Sequence, residues 1–126
     1  MEHRIDIKVY YEDTDCLGIV YHANYLKYLE RGRSEFISSK GKPIQQLNKE
    51  GYNFAVFEMK IKFLKALKLG DTCQVFTKLG HPESEFRRKM IQRIEFSGQV
   101  IVEAEVDVIC LNNEKELRTI PPGILD

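Results

Sequence analysis

Residues 10–33 read YYEDTDCLGIVYHANYLKYLERGR, and the fold turns on how that stretch is divided. Three carboxylates (Glu12, Asp13, Asp15), Gly18 and His22 crowd the boundary between an alternating run and a helix-periodic one. Upstream, IDIKVYY puts Ile5, Ile7, Val9 and Tyr11 on one face and Asp6, Lys8, Tyr10 and Glu12 on the other. That is the period of a strand with one wet side. From Tyr21 the period changes: Tyr25, Leu29, Gly32 and Phe36, flanked by Leu26 and Tyr28, share one side of a helix that ends before Gly41. A glycine inside a helix costs about 1 kcal/mol relative to alanine, so Gly32 marks a place where the helix backbone lies close to a sheet.

Downstream, PIQQLNKE reads as a short helix, with Pro43 in its first turn and Gly51 after its end. FAVFEMKIKFL, TCQVFTKLG, EFRRKMIQRIEF and QVIVEAEVDVICL then read as four strands, linked by LKLGD, HPES and SG. In the last strand Val100, Val102, Ala104, Val106, Val108 and Cys110 share a face opposite Glu103, Glu105 and Asp107. The expected class is α+β: a five-stranded antiparallel sheet with one long central helix on one face, a single domain over residues 1–126. Outward apolar residues (Phe57, Phe76, Ile91, Ile101, Ile109) predict that a partner subunit covers part of the sheet.

Composition excludes several classes. Nineteen basic residues balance nineteen acidic ones, so no global field points to nucleic acid or an anionic membrane. Three widely separated cysteines and scattered His3, His22 and His81 argue against a disulfide framework and against a metal site. MEHRIDIKVYY lacks a signal-peptide core, and no apolar run is long enough to span a bilayer; the expected location is cytoplasmic.

The helix mouth is the candidate site. Gly18, Ile19, Val20 and Tyr21 cap poorly, which leaves amide N–H groups to polarise a carbonyl or bind an anion. Asp15 reaches the same space as nucleophile or general base. Aspartates in such loops are more often turn formers, so at least one of Asp13 and Asp15 is structural. A Cys16–His22 pair is weak, because nothing supplies a third orienting group. The residues alone support an acyl or anion site and leave its chemistry open.

YYEDTDCLGIVYHANYLKYLERGRSEF closely resembles the signature of the hotdog-fold acyl-CoA thioesterases, in the 4-hydroxybenzoyl-CoA and Tol–Pal-associated branch. The resemblance implies a helix wrapped by a five-stranded sheet, Asp15 as catalytic carboxylate, and the His22 N–H as the donor that polarises the thioester carbonyl. It also implies catalytic placement of Tyr11 and the His22 side chain, substrate contacts from Gly18, Ile19, Val20, Tyr21 and Tyr25, and a variable position at Cys16. The implied reaction is acyl-CoA plus water to free acid plus CoA, with acyl carrier protein as an alternative carrier and no separate cofactor. Such sites lie between subunits of a homo-oligomer, a tetramer most often, so Val56–Met59, with Glu58, is expected to complete the partner's pocket. CoA phosphates call for cations, and two clusters offer them: Lys60 and Lys62 with Lys65, and Arg87 and Lys89 beside Arg88. Solvated strand faces are the competing reading for each of those cations. Other readings are a hotdog dehydratase, a non-catalytic acyl-thioester binding subunit, and nucleic-acid binding through FRRKMIQR with Phe86. Zero net charge and a single neighbouring aromatic disfavour the last.

Overall fold

Alternation and helical periodicity resolve into β1 (His3–Lys8), α1 (Asn24–Ser38), α2 (Ile44–Lys49), β2 (Asn53–Phe63), β3 (Thr72–Pro82), β4 (Arg87–Phe96) and β5 (Gln99–Leu111), with one turn of 3-10 helix at Tyr11–Asp13. The structure, a computed structural model, describes residues 2–126. All strands join one antiparallel sheet in the order β1-β3-β4-β5-β2, so β1 and β2 are its edges. α1 packs on one face, against β1, β3 and β4. This is the hotdog arrangement that the sequence predicts. No helix among the described residues is long and apolar enough to cross a membrane.

The helix meets the sheet through Tyr25, Tyr28, Leu29, Gly32, Arg33, Phe36 and Ile37, all buried. Gly32 is the contact point, because a Cβ there would lie 2.7 Å from Val75 Cγ1 and 3.0 Å from Thr77 Oγ1. Buried Gln92 of β4 stitches the seam: its Nε2 donates to the Leu29 carbonyl and to Thr77 Oγ1, both at 2.9 Å. Its Oε1 accepts from Arg33 Nη1 at 3.1 Å.

Two bulges adjust the strand faces. In β2 the apolar positions change parity, from Phe54 to Met59 and Ile61, and the register shift between Val56 and Glu58 absorbs the change. Phe57 is the extra residue and stays 59% exposed. In β5 the register passes from Val102 opposite Ile94 to Val100 opposite Glu95. The odd residue, Ile101, turns inward and is buried, contrary to the outward placement expected of it. Phe57 and Phe76 are partly covered by the chain's own cations, Arg87 at 4.8 Å and Arg93 at 4.0 Å from the ring centres.

Two boundaries also differ from the sequence reading. β1 ends at Lys8, because the Asp13 carboxylate accepts the Tyr10 N–H at 2.9 Å and bends the chain into the 3-10 turn. Tyr11 therefore leaves the core face of the strand and is 80% exposed. The main helix begins at Asn24 rather than Tyr21, since Val20 is still held in a bridge to Thr14 and the Tyr21 N–H donates to the Asp13 carbonyl.

Candidate active site at the helix mouth

The loop before α1 is fixed from both sides. Thr14 bridges Val20 and Ile19 bridges Lys68, pinning the loop to the connection between β2 and β3. Gly18 N–H donates to the Asp15 carbonyl at 3.1 Å, and the positive φ of Gly18, +78°, closes that turn without the penalty an L side chain would incur. Val20 N–H donates to the Leu67 carbonyl, and Leu67 N–H donates to the Tyr25 hydroxyl, each at 2.9 Å. Asp13, buried, is the structural aspartate of the pair. Besides its carboxylate bond to Tyr10, its carbonyl accepts from Tyr21 N–H at 3.1 Å and from Asn24 Nδ2 at 2.8 Å. Below it, burial and then the Asp13 carboxylate hold the Tyr28 phenol above its usual ionisation range, although no hydrogen bond of normal geometry joins them.

This anchoring uses up the amides of Gly18, Val20 and Tyr21, three of the groups expected to be free. The fourth, Ile19 N–H, has no acceptor among the described residues, and further open donors lie one step on. Ala23 occupies the N-cap without a side-chain bond, and the first helical amides, of Asn24, Tyr25 and Leu26, turn back to the carbonyls of Tyr21, His22 and Ala23. Among the described residues, no acceptor takes the N–H of His22 or of Ala23. Asp15 is half-buried. Its Oδ1 accepts from Leu17 N–H at 2.8 Å, and its second oxygen accepts from none of the described residues.

His22 and Asp15 line one cleft of about 370 Å³, and Ala23 lies outside its lining. Asp15, Ile19, Val20, Tyr21, His22 and Tyr25 face Phe63, Leu64, Lys65 and Ala66 across it. The His22 ring lies tilted against Tyr21 at 4.6 Å and meets Phe63 edge-on at 6.0 Å, while Tyr25 lies 5.8 Å from Phe63. The cleft thus pairs aromatic walls with unpartnered amides and an available carboxylate oxygen. That donor set can polarise a carbonyl and attack it, or activate a water beside it.

The fold does not bring every expected residue here. Tyr11 is outside the cleft. Lys60 and Lys62 line a different pocket on the outer face of the sheet, with Lys78, Arg93, Glu103 and Glu105. Arg87 is bonded to buried Asp107 at 2.7 Å, and Lys89 lies 3.7 Å from Glu83. Glu58 sits opposite Asp107 in register, exposed and outside the cleft of its own protomer. Phe63, Leu64 and Ala66 were not singled out by sequence. The signal was the non-alternating FLKAL that follows β2, and Lys65 within it is the cation that reaches the cleft.

Known proteins share both sequence and shape with this chain. The Thioesterase-like superfamily matches residues 9–126. The acyl-CoA thioester hydrolase YbgC of Escherichia coli O6:H1 is 30% identical over 123 residues, 97% of this chain and 92% of that protein. The acyl-CoA thioesterase YbgC of Helicobacter pylori is 44% identical over 72 residues, 57% of this chain, and the chain aligns with about half (52%) of that relative's length. The crystal structure of a probable thioesterase from Bartonella henselae superposes with a TM-score of 0.91 at 31% identity, over 96% of this chain and 100% of that one. A match of that extent, on a chain whose helix mouth is left open beside a carboxylate, places it in one family: the chain belongs to the thioesterase-like superfamily.

Proposed function

We propose that the protein hydrolyses acyl-CoA thioesters to a free carboxylic acid and CoA. One observation carries the reading: His22, whose N–H is unpartnered, lines the same cleft as Asp15, one of whose oxygens no described residue occupies. The thioester oxygen accepts from the His22 N–H, whose fixed dipole stabilises the negative charge that develops on it. Asp15 then takes one of two routes. As nucleophile it forms an acyl–aspartyl anhydride and expels CoA thiolate, and water cleaves the anhydride to regenerate the carboxylate. As general base it takes a proton from water while the resulting hydroxide adds to the carbonyl; the C–S bond breaks and the proton passes to the leaving thiolate. Aromatic side chains of Tyr21, His22, Tyr25 and Phe63 form the apolar walls for the acyl group.

Lys65, on the cleft, serves the phosphate-bearing end of the carrier, and the scheme needs no cofactor or metal. The working form is a cytoplasmic homo-oligomer, a tetramer built from dimers. The open edge of β2 supports this: it carries exposed Val56, Phe57 and Phe63 along a strand paired on one side. Pairing two such edges would bring Val56–Met59, and with it Glu58, to the partner.

The test is release of free thiol from hexanoyl-, palmitoyl- and 4-hydroxybenzoyl-CoA, in the wild type and in Asp15→Asn, with sedimentation recorded alongside. Turnover that collapses in the variant supports the reading. Equal turnover in both proteins removes Asp15 from the scheme, and binding without turnover replaces hydrolysis with recognition. The protein itself contributes one reactive thiol to correct for: Cys16 is exposed, whereas Cys110 is buried and burial pushes the Cys73 thiol up to about 12.

A further inference from the structure

The open amides of His22 and Ala23 are bracketed by two bonds to a single oxygen. The Asp13 carbonyl accepts from Tyr21 N–H at 3.1 Å, just before those residues, and from Asn24 Nδ2 at 2.8 Å, just after them. Asn24 N–H turns back to the Tyr21 carbonyl at 2.8 Å, so residues 21–24 form a closed turn fastened at both ends. The residue that fastens it is itself held. Asp13 is buried, its N–H donates to the Tyr10 carbonyl at 3.0 Å, and its carboxylate accepts the Tyr10 N–H at 2.9 Å.

Helix capping does not account for Asn24. A capping side chain precedes the first helical residue and accepts from helix N–H groups through its oxygen. Asn24 is the first residue of α1, and its side chain donates through nitrogen to a carbonyl eleven residues earlier. That bond satisfies none of the open helix donors, and alanine would suit the helix better by propensity. What it does fix is the orientation of the peptide units between Tyr21 and Asn24, among them the one that carries the His22 N–H. A donor stabilises a developing charge only while it is aimed at it, and a misplacement of about 1 Å costs about 10²-fold in rate.

We propose that Asn24 is a positioning residue: it clamps the 21–24 turn to the Asp13 carbonyl and so aims the His22 N–H at the thioester oxygen, without touching the substrate. Its consequence for rate rests on the hydrolysis reading above; the clamp itself does not. Aspartate at this position keeps the shape, removes the donor and sets a carboxylate oxygen against the carbonyl.

The test compares Asn24→Ala and Asn24→Asp with the wild type, using whichever of hexanoyl-, palmitoyl- and 4-hydroxybenzoyl-CoA the wild type hydrolyses fastest. In both variants kcat should fall about 10–100-fold, with KM within about twofold of wild type. Amide nitrogen relaxation should show the order parameters of His22 and Ala23 dropping from about 0.85 toward 0.6, while the remaining α1 amides hold theirs. A double-mutant cycle separates aiming from general stabilisation. Once His22→Pro has removed the donor, adding Asn24→Ala should lower kcat by less than about threefold more. Alanine and aspartate both suit the first turn of a helix, so a thermal midpoint lowered by more than about ten degrees in both variants would make Asn24 a folding residue and overturn the proposal. So would order parameters that stay unchanged at His22 and Ala23, or single variants that keep kcat within about threefold of wild type, or a loss in the His22→Pro background as large as in the wild type. Absence of thiol release by the wild type overturns the hydrolysis reading instead, and the clamp is then decided by the order parameters.

Discussion

The helix mouth and the outer face of the sheet are both rich in polar groups, and they differ in what those groups touch. On the outer face the cations of β4 are spent on neighbours. Arg87 holds Asp107 and covers Phe57; Lys89 lies by Glu83; Arg93 bonds Glu95 and Glu2 and covers Phe76. Apart from the pair that includes buried Asp107, these partly exposed pairs contribute roughly 0–1 kcal/mol each and mainly keep the face hydrated. At the mouth, the N–H groups of Ile19, His22 and Ala23 and a carboxylate oxygen have no partner among the described residues, although the loop that carries them is bonded at nearly every turn. A segment rigidly held for the sake of groups left unpaired is organised for a ligand, whereas a face whose charges satisfy one another is organised for water.

The largest effect that would break this contrast is Asp15→Asn. It removes the nucleophile or base while keeping the Leu17 N–H bond available, and should lower kcat by about 10²–10⁴-fold with the thermal midpoint within a few degrees of wild type. Retention of more than a tenth of the activity would show the carboxylate to be another turn former, no different from Asp13. Next is the paired comparison of His22→Pro with His22→Ala. Proline deletes the open N–H, and loss of one such donor costs about 10²–10³-fold in kcat. Alanine keeps the donor and loses only the ring, so it should stay within about tenfold of wild type. Circular dichroism of both confirms the helix start. Similar losses in the two variants would transfer the work from the backbone to the imidazole.

Much of this was written in the chain because local chemistry dictated it. The missing cap before α1, the Asp–x–Asp spacing and the change of period at the mouth are local, and the fold keeps them. Gly32 was legible for the same reason: a glycine in mid-helix has a packing cause, and here it is Val75. Gly32→Ala should therefore destabilise by about 1–3 kcal/mol in urea unfolding, since the new methyl group overpacks the seam. A neutral or stabilising result would mean that Gln92 and Val75 move aside easily, and that the seam does not hold the mouth in place. What the sequence hid was non-local. Which amides are consumed depends on Leu67 and Asp13 arriving from elsewhere, so Val20 and Tyr21 looked free and are not. Alternation located Lys60 and Lys62 on one strand face but could not say which side of the sheet faces the cleft. Ile101 was misplaced because a bulge depends on the pairing of two strands, and no single-strand pattern records it.

The smallest predicted effect separates the two regions by their lysines. Lys65 lines the cleft, and its Nζ now donates to Gln99 Oε1 at 2.7 Å, an exposed neutral acceptor that a phosphate oxygen would outcompete. Lys65→Ala should raise KM for acyl-CoA by about three- to fivefold with kcat unchanged, the scale of one solvent-exposed ion pair. That rise should shrink as ionic strength is increased, because salt screens exposed charges. Lys60→Ala and Lys62→Ala, on the opposite side of the sheet, should leave both constants within twofold. If instead Lys60 or Lys62 carries the KM effect, the carrier's phosphates reach the outer face, and the division drawn between a satisfied surface and an open mouth fails at its edge. A KM rise in Lys65→Ala that ignores salt would count against phosphate contact and for a packing role of the lysine stem against Phe63 and Leu64.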